Sequence, residues 1–244
     1  MQEPPTAGRL RKTSAPCGGA VALLLGACIV AGGAYAASGT LGFSVQVTPG
    51  LVAAYTRLFG STVRERITAW TDFARTQKAA PRSARLLAPA GAEAEALQSV
   101  NSYFNRIPFL SDAAHWSAED YWATPAETVS SNGGDCEDYS IAKYFLLKEV
   151  GVPVERLRIT YVKAVKLNQA HMVLAYYASP VSDPLILDNL DDKVRPASER
   201  PDLVPVYSFN DDDIVIVRDN RKSNPLQIRA WRDLLGKLEA EARL

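Results

Sequence analysis

Apolar residues along the chain follow a helical spacing up to about residue 150 and the alternation of strands beyond it. In residues 51–77 they recur every three or four positions, as at Val63, Ile67 and Trp70, and so line one face of a helix. Residues 93–105 show the same pattern. Two long helical segments are therefore predicted in the N-terminal half.

The clearest predicted helix covers residues 136–150 and is amphipathic, with one apolar stripe. Asp135 in front of it is a favourable N-cap, and Gly151 behind it is a typical helix stop. The pair Gly133-Gly134 breaks the chain before the helix. Because these glycines have no side chain, they are expected to let the backbone and a substrate come close.

Beyond residue 150 the alternation predicts strands at residues 157–161, 172–177, 185–187 and 214–217. A final amphipathic helix is predicted at residues 226–244. Residues 78–91 are interpreted as a loop, and residues 107–132 as irregular structure packed over the core. Helices followed by neighbouring strands predict an α+β domain with an antiparallel sheet.

The first 36 residues have the order of charged, apolar and small residues that is typical of a secretory signal. An apolar stretch covers residues 18–33, and Ala34-Tyr35-Ala36 follows as a small-x-small cleavage pattern. Cleavage there predicts one periplasmic domain, residues 37–244, without a membrane span. Two alternatives stay open: lipoprotein processing at Cys28, or an uncleaved anchor, although a spanning helix needs roughly 20 apolar residues.

The charge and the length of the chain limit which classes of function are possible. The chain has 27 basic and 27 acidic residues, and the predicted mature part has two more acidic than basic residues. No basic block is present, which argues against a nucleic-acid partner. About 200 residues are enough for one domain with its own core.

Cys136 is the only cysteine outside the predicted signal, since Cys17 and Cys28 lie within it. A single thiol cannot form an internal disulfide and therefore needs another explanation. The start of a helix carries partial positive charge and favours a thiolate. Position and isolation together indicate a nucleophile, although a lone cysteine is more often a small buried apolar residue.

Only two histidines are candidates for a general base. His171 starts a predicted strand, where it can face a helix N-terminus, whereas His115 lies in the irregular region. Asp188 ends the next predicted strand, and a hairpin of these two strands returns it to His171. The sequence therefore predicts a triad of Cys136, His171 and Asp188, in which the aspartate orients the imidazole.

Asp135, Glu137 and Asp138 surround Cys136. Their negative charge is expected to raise the pKa of the thiol, and a bound cation would offset it. Clustered carboxylates suit Ca²⁺, although acidic residues also favour the first turn of any helix. The acidic runs at residues 191–192 and 211–213 are interpreted as solvated turns.

At these segments the chain resembles the bacterial transglutaminase-like cysteine proteinases of the LapG type, over roughly residues 50–235. The segments that carry the resemblance are Tyr121-Trp122-Ala123-Thr124-Pro125, Gly134-Asp135-Cys136-Glu137-Asp138-Tyr139, Ile141-Ala142-Lys143-Tyr144, Ala170-His171-Met172-Val173-Leu174, Leu187-Asp188-Asn189-Leu190 and Pro205-Val206-Tyr207-Ser208-Phe209-Asn210. The resemblance implies a papain-like or transglutaminase-like core, with N-terminal helices, a cysteine-bearing helix packed on an antiparallel sheet, and a C-terminal helix.

The resemblance also implies roles for individual residues. Cys136 would be the nucleophile, His171 the general base and Asp188 the orienting acid. The calcium ligands would be Asp135, Glu137 and Asp138.

The same family resemblance implies a periplasmic, calcium-dependent enzyme that cleaves a large surface adhesin near its N-terminus, at a double-alanine site, and releases cells from a biofilm. An inner-membrane cyclic-di-GMP receptor of the LapD type would sequester it when the nucleotide is abundant. Two other functions stay open at this stage. A transglutaminase-type acyl transferase would use the same triad, and a catalytically inactive binding module would use only the cleft or the acidic residues.

Stabilisation of the oxyanion is expected from backbone N–H groups at the start of the cysteine helix. Trp116, Trp122 and Asn132 are the candidates for an additional side-chain donor.

Overall fold

The computed structural model describes residues 46–79 and 91–244. The predicted signal and nearly all of the predicted loop at residues 78–91 lie outside these ranges. The helices described are α1 (Pro49–Phe59), α2 (Val63–Ala79), α3 (Gly91–Phe104), α4 (Asp112–His115), α5 (Pro125–Ser131), α6 (Cys136–Glu149) and α7 (Arg229–Glu241). The strands described are β1 (Leu157–Ala164), β2 (Gln169–Tyr176), β3 (Leu185–Leu187), β4 (Arg195–Pro196), β5 (Leu203–Phe209), β6 (Ile214–Ile216) and β7 (Arg221–Ser223). None of these helices is long and apolar enough to span a bilayer.

The described strands form one antiparallel sheet in the order β4-β3-β2-β1-β5-β6-β7. β1 and β2 pair along their whole length, with Val162 opposite His171. β2 and β3 form the next hairpin, with Leu174 opposite Leu187. The predicted α+β fold is confirmed, and so is the hairpin that brings Asp188 back towards the start of β2.

Helix α6 lies against the sheet and is buried on all sides. Every residue from Asp138 to Leu147 is buried, and Lys143 is only 1% exposed. The prediction of an amphipathic helix with one apolar stripe is wrong for α6. Strands β1 and β2 cover one of its faces while α2, α3 and α5 cover the others, so no face is left for solvent.

Helix α7 closes the core from the C-terminal side. Trp231 is fully buried, stacks on Phe145 of α6 at 5.8 Å and meets Phe209 of β5 edge-on at 5.2 Å. The predicted C-terminal helix is confirmed, but it starts at Arg229. The residues before it form a 3₁₀ turn, Pro225–Gln227, that the Asn224 side chain caps.

The end of α7 also fastens the segment that precedes α5. The buried Glu241 carboxylate accepts hydrogen bonds from Tyr55 Oη of α1, at 2.5 Å, and from Thr124 Oγ1. Lys237 Nζ donates to the Trp122 carbonyl at 2.6 Å and lies 3.8 Å from the centre of the Tyr121 ring. Helix α7, itself bonded to α1 through Tyr55, therefore holds residues 121–124.

The single helix predicted at residues 51–77 is wrong, because the chain forms α1 and α2 with a break between them. Gly60 ends α1 with φ of +93°, and its N–H donates to the Thr56 carbonyl at 3.0 Å. Residues other than glycine rarely adopt this backbone conformation. The helical spacing of the apolar residues continues across the break and conceals it.

The irregular structure predicted at residues 107–132 contains two short helices, α4 and α5. The start of α5 is a capping box: Thr124 Oγ1 accepts from Glu127 N–H at 3.0 Å, and Glu127 Oε2 accepts from Thr124 N–H at 2.8 Å. Pro125 fits the first helical position, where no N–H is needed. These signals were present in the sequence, but the surrounding aromatic and turn-forming residues outweighed them.

All four predicted strands are present, the one at residues 185–187 with the predicted bounds and the other three with shifted ends, whereas β4, β5 and β7 were missed. β5 is the important omission because it pairs directly with β1. Pro205 lies within it and argues against a strand, since proline cannot donate a ladder hydrogen bond. The register between β1 and β5 shifts at Tyr161/Val162, opposite this proline, and the strand accommodates it there.

The acidic run at residues 211–213 is not a solvated turn. Asp211 accepts hydrogen bonds from Tyr144 Oη, at 2.9 Å, and from Lys148 Nζ, and its side chain is 9% exposed. Asp213 pairs with Arg158 Nη2 at 2.7 Å. The run therefore connects β6 to α6 and β1.

Substitutions at two glycines test the break between α1 and α2. Gly60→Ala places a Cβ on a left-handed backbone and is expected to cost about 1–3 kcal/mol of stability. Gly236→Ala, at an exposed position inside α7 with no atom within 4 Å of the new Cβ, is expected to add about 0.5–1 kcal/mol. Equilibrium urea unfolding measures both free energies, and equal effects of the two substitutions would contradict the assigned backbone at Gly60.

Candidate active site

Cys136 is the first residue of α6, and Asp135 is the N-cap. Asp138, at the third helical position, accepts a hydrogen bond from Asp135 N–H through Oδ2, at 3.3 Å. Its other oxygen, Oδ1, accepts from Ala123 N–H at 2.7 Å. Asp138 therefore joins the start of the cysteine helix to residues 121–124, the segment held by α7.

The two glycines before α6 admit a neighbouring segment of the protein. Phe109 bridges to Gly134, and Leu110 N–H donates to the Gly134 carbonyl at 2.9 Å. A Cβ on Gly133 would lie 2.5 Å from Leu110 Cδ1, and one on Gly134 would lie 2.8 Å from Asp138 Cβ. Other parts of the protein come close to this glycine pair, as expected. The space beside the glycines is filled by Leu110 and Asp138.

The thiol of Cys136 is half-buried and donates a hydrogen bond to Glu137 Oε2 at 3.0 Å. Burial, and then the charge of Glu137, raise the pKa of this thiol far above its ordinary value. The Met172 N–H of β2 acts in the opposite direction. In this conformation the thiol is protonated, and its proton points to a carboxylate.

His171 and Asp188 are in direct contact, as the sequence predicts. His171 Nε2 lies 2.8 Å from Asp188 Oδ1, and both residues are buried, at 3% and 1% exposure. The contact forms because the β2–β3 hairpin places Asp188, one residue beyond β3, close to the start of β2. With Nε2 engaged by the carboxylate, Nδ1 is the nitrogen left for chemistry.

Asp188 is ionised in spite of its burial. Burial alone would raise its pKa, but hydrogen bonds from His171, from Leu190 N–H at 3.0 Å and from Arg200 Nη2 at 2.8 Å outweigh it. The net result lowers the pKa of Asp188 to about 2. The aspartate is therefore a permanent negative charge beside the imidazole.

Cys136 lies against the strand that carries His171, next to Met172, the following residue. The structure thus brings the start of α6 to the start of β2. The other histidine, His115, is bound elsewhere: its Nε2 lies 2.9 Å from Ser131 Oγ. The choice of His171 over His115 agrees with these positions.

The acidic residues around Cys136 belong to a larger cluster than the sequence indicates. Asp112 has carboxylate oxygens within 4.8 Å of those of Asp135 and Asp138, and Asp112 and Asp120 are as close to Glu137. Asp112 and Asp120 were missed because they lie in a distant stretch without a motif of its own. Non-local contacts on both sides bring this stretch to α6: Leu110 N–H donates to the Gly134 carbonyl, and Ala123 N–H donates to Asp138.

This acidic cluster has buried oxygen atoms without partners. Asp112 Oδ1 and Asp135 Oδ1 accept no hydrogen bond from any described residue. Burial raises the pKa of Asp112 to about 6, and burial together with Glu137 raises that of Asp135 to about 8. Burial also raises the pKa of Asp138. Unpartnered carboxylate oxygens that resist ionisation fit a hard cation.

The predicted oxyanion side chains have other surroundings. Trp122 Nε1 donates to Asp120 Oδ1 at 2.9 Å. Asn132 ends α5 in a left-handed conformation with φ of 59°. Trp116 Nε1 is buried without a partner among the described residues. Of the expected donors, the N–H groups at the start of α6 have the most favourable place, because first-turn N–H groups have no partner within the helix.

Comparisons with known proteins identify the family of the chain. Residues 62–202 match the family of bacterial transglutaminase-like cysteine proteinases. The structure of EGTA-treated LapG from Legionella pneumophila is 36% identical, covers 80% of this chain and 100% of that chain, and superposes with a TM-score of 0.66. The structure of calcium-bound LapG from Legionella pneumophila is 38% identical, covers 79% and 99%, and has a TM-score of 0.63. Among curated proteins, no match was found.

The family match covers more than half of the chain and includes Cys136, His171, Asp188 and the whole acidic cluster. The two LapG structures extend the likeness to nearly all of the described residues. The family and fold that the sequence resemblance implies are thereby confirmed. The chain belongs to the bacterial transglutaminase-like cysteine proteinases and is a cysteine protease with their α+β fold.

Proposed function

We propose that this cysteine protease is a calcium-dependent endopeptidase that uses Cys136, His171 and Asp188 as its catalytic triad. The observation that carries the proposal is the 2.8 Å contact between His171 Nε2 and Asp188 Oδ1 beside the helix that starts with Cys136. A thiol, a base and an orienting acid in this order are sufficient for acyl transfer to water.

In the proposed mechanism, Cys136 attacks the scissile carbonyl as a thiolate after its proton has moved to His171 Nδ1. Asp188 keeps the Nε2 proton in place and stabilises the imidazolium. The tetrahedral oxyanion is bound by N–H groups at the start of α6. The imidazolium then protonates the leaving amine, and the neutral imidazole activates a water that hydrolyses the thioester.

The resting thiol is poorly suited to this attack, because Glu137 holds its proton and burial disfavours the thiolate. The acidic cluster that we propose as the calcium site includes the three ligands predicted from sequence, Asp135, Glu137 and Asp138, together with Asp112 and Asp120. A calcium ion there would supply the positive charge that offsets these carboxylates. Engagement of Glu137 with a cation would also release the S–H group from its present acceptor.

For substrate and location, we propose a periplasmic enzyme that cleaves a large surface adhesin near its N-terminus, at a double-alanine site, and so controls release from a biofilm. The support is the family membership, the likeness to LapG of Legionella pneumophila, and the signal pattern of residues 1–36. On the same grounds we propose an inner-membrane cyclic-di-GMP receptor of the LapD type as its partner. A purified adhesin fragment containing a double-alanine site tests the substrate directly.

Cys136→Ala is expected to abolish cleavage of this fragment, with a loss of about 10³-fold or more in rate, because no other described group can form the thioester. Gel electrophoresis of the fragment measures cleavage, and thermal unfolding verifies the fold. Cleavage at the wild-type rate by folded Cys136→Ala would refute the mechanism.

The two histidines offer a matched comparison. His171→Gln is expected to lose cleavage as completely as Cys136→Ala does, because the imidazole is both base and acid. His115→Gln removes a ring that contacts Ser131 rather than Asp188, and most of the activity is expected to remain. Equal losses in the two variants would show that His171 has no special role.

Stability and calcium binding are expected to be linked through pH. The unfolded-state pKa of an aspartate is near 3.8, and the folded values are about 6 for Asp112 and about 8 for Asp135. The calcium-free fold therefore binds extra protons, and its stability falls as pH rises from about 4 to 8. The stabilisation by calcium is expected to be larger at pH 8 than at pH 5.

Thermal unfolding with calcium and with EGTA at the two pH values measures this linkage. Asp112→Asn is expected to reduce the stabilisation by calcium, whereas Asp233→Asn, an exposed residue of α7, is expected to leave it unchanged. A calcium effect that is independent of pH and of Asp112 would place the ion elsewhere.

A further inference from the structure

Arg200 is a buried arginine on the far side of Asp188 from the imidazole. It is 7% exposed, and its Nη2 donates to Asp188 Oδ2 at 2.8 Å, while Asp188 Oδ1 faces His171 Nε2. We propose that Arg200 is a positioning residue, which fixes the orientation of the His171 ring by fixing the plane of the Asp188 carboxylate. The proposal rests on the proposed role of His171 and Asp188 in catalysis.

A carboxylate that is held through one oxygen can rotate about its Cβ–Cγ bond. Two donors on opposite oxygens remove this freedom, and a guanidinium is suited to the task because its N–H groups point in fixed directions within one plane. Asp188 has such donors in His171 and Arg200, and Leu190 N–H holds Oδ1 as well. The imidazole therefore contacts a carboxylate whose orientation is fixed by Arg200 on its other side.

Arg200 is itself held in place. Its Nε and Nη2 donate to the two oxygens of Asp202 at 3.1 and 3.0 Å, and its backbone N–H donates to the Ala197 carbonyl at 2.9 Å. Asp202 is partly exposed, whereas His171 is buried. The connected side chains Asp202, Arg200, Asp188 and His171 therefore run from the surface to the site.

Other charged groups near Asp188 do not replace this contact. Lys143 of α6 is buried and is attracted by Asp188 and Asp192, and burial lowers its pKa to about 7. Its Nζ lies over the Tyr139 ring, 5.7 Å from the centre. Arg200 Nη2, by contrast, is in hydrogen-bond distance of the carboxylate.

A cavity of about 380 Å³ borders Arg200, and Lys166, Arg195 and Asp202 are among its other walls. In Arg200→Ala this cavity would extend towards Asp188 Oδ2. Guanidinium ion then becomes a probe, since it has the shape and charge of the missing group. Arg195→Ala is the matched control, because Arg195 lines the same cavity but pairs with Asp191 at 2.8 Å and not with Asp188.

The first readout is the NMR spectrum of ring ¹⁵N-labelled histidine in the calcium-loaded protein. The chain has only two histidines, so His115→Gln assigns both rings. In the wild type and in Arg195→Ala, a proton bound to His171 Nε2 is expected at low field. In Arg200→Ala this resonance is expected to broaden or disappear while that of His115 stays, and millimolar guanidinium is expected to restore it.

The second readout is cleavage of the adhesin fragment. Arg200→Ala is expected to lower kcat by about 10- to 100-fold, the range for hydrogen-bond partners that orient metal ligands, with KM nearly unchanged because Arg200 does not touch substrate. Guanidinium is expected to recover part of kcat in Arg200→Ala and none in Arg195→Ala. If Arg200→Ala does not fold, Arg200→Gln is read in the same way.

An unchanged His171 resonance in a folded Arg200 variant overturns the proposal, and so does a loss of kcat equal to that of Arg195→Ala. A wild-type protein that fails to cleave the fragment contradicts the proposed substrate, and the NMR readout still decides whether Arg200 orients His171. Loss of the resonance with recovery by guanidinium supports the positioning role.

Discussion

The burial of several carboxylates around one thiol is the constraint on which the active site depends. Like charges in a buried place repel each other and resist ionisation, and a thiol among them keeps its proton. The structure reduces this cost by directing N–H groups at Asp138, from Ala123 and Asp135. The remaining unpartnered oxygens, on Asp112 and Asp135, are left for a cation. Calcium bound at the site that we propose would offset the repulsion among these carboxylates.

On the opposite side of the site, Asp188 lies in a different electrostatic environment. Asp188 is buried too, yet its hydrogen-bond donors outweigh the effect of burial and lower its pKa to about 2. Two kinds of buried carboxylate therefore meet at the start of α6 and β2. Asp188 keeps a fixed negative charge beside the imidazole. The ionisation of the carboxylates around Cys136 depends on what binds there.

The sequence was a reliable guide where the signal is local. The start of α6 is marked by a glycine pair and a capping aspartate, and the β2–β3 hairpin by two apolar runs joined by a turn, so the places of Cys136, His171 and Asp188 in the fold could be predicted. The approach of Asp112 and Asp120 could not be predicted, because their stretch reaches α6 through non-local contacts, such as the pairing of Phe109 with Gly134 and the hydrogen bond from Ala123 to Asp138. β5 was concealed by Pro205, and the break at Gly60 by a helical spacing that runs across it. Non-local contacts and single-residue backbone effects produce no periodic pattern of apolar residues in the sequence.

The attachment of α7 to residues 121–124 has a consequence for the order of events during synthesis. Asp138 is held by Ala123, and the adjoining Thr124 donates to Glu241 of α7, which also accepts from Tyr55 of α1. Glu241 lies far beyond Cys136 in the chain, so the thiol and its acidic residues are synthesised before the helix that supports residues 121–124. The start of α6 therefore has its full set of supporting contacts only once α7 has been made and has docked.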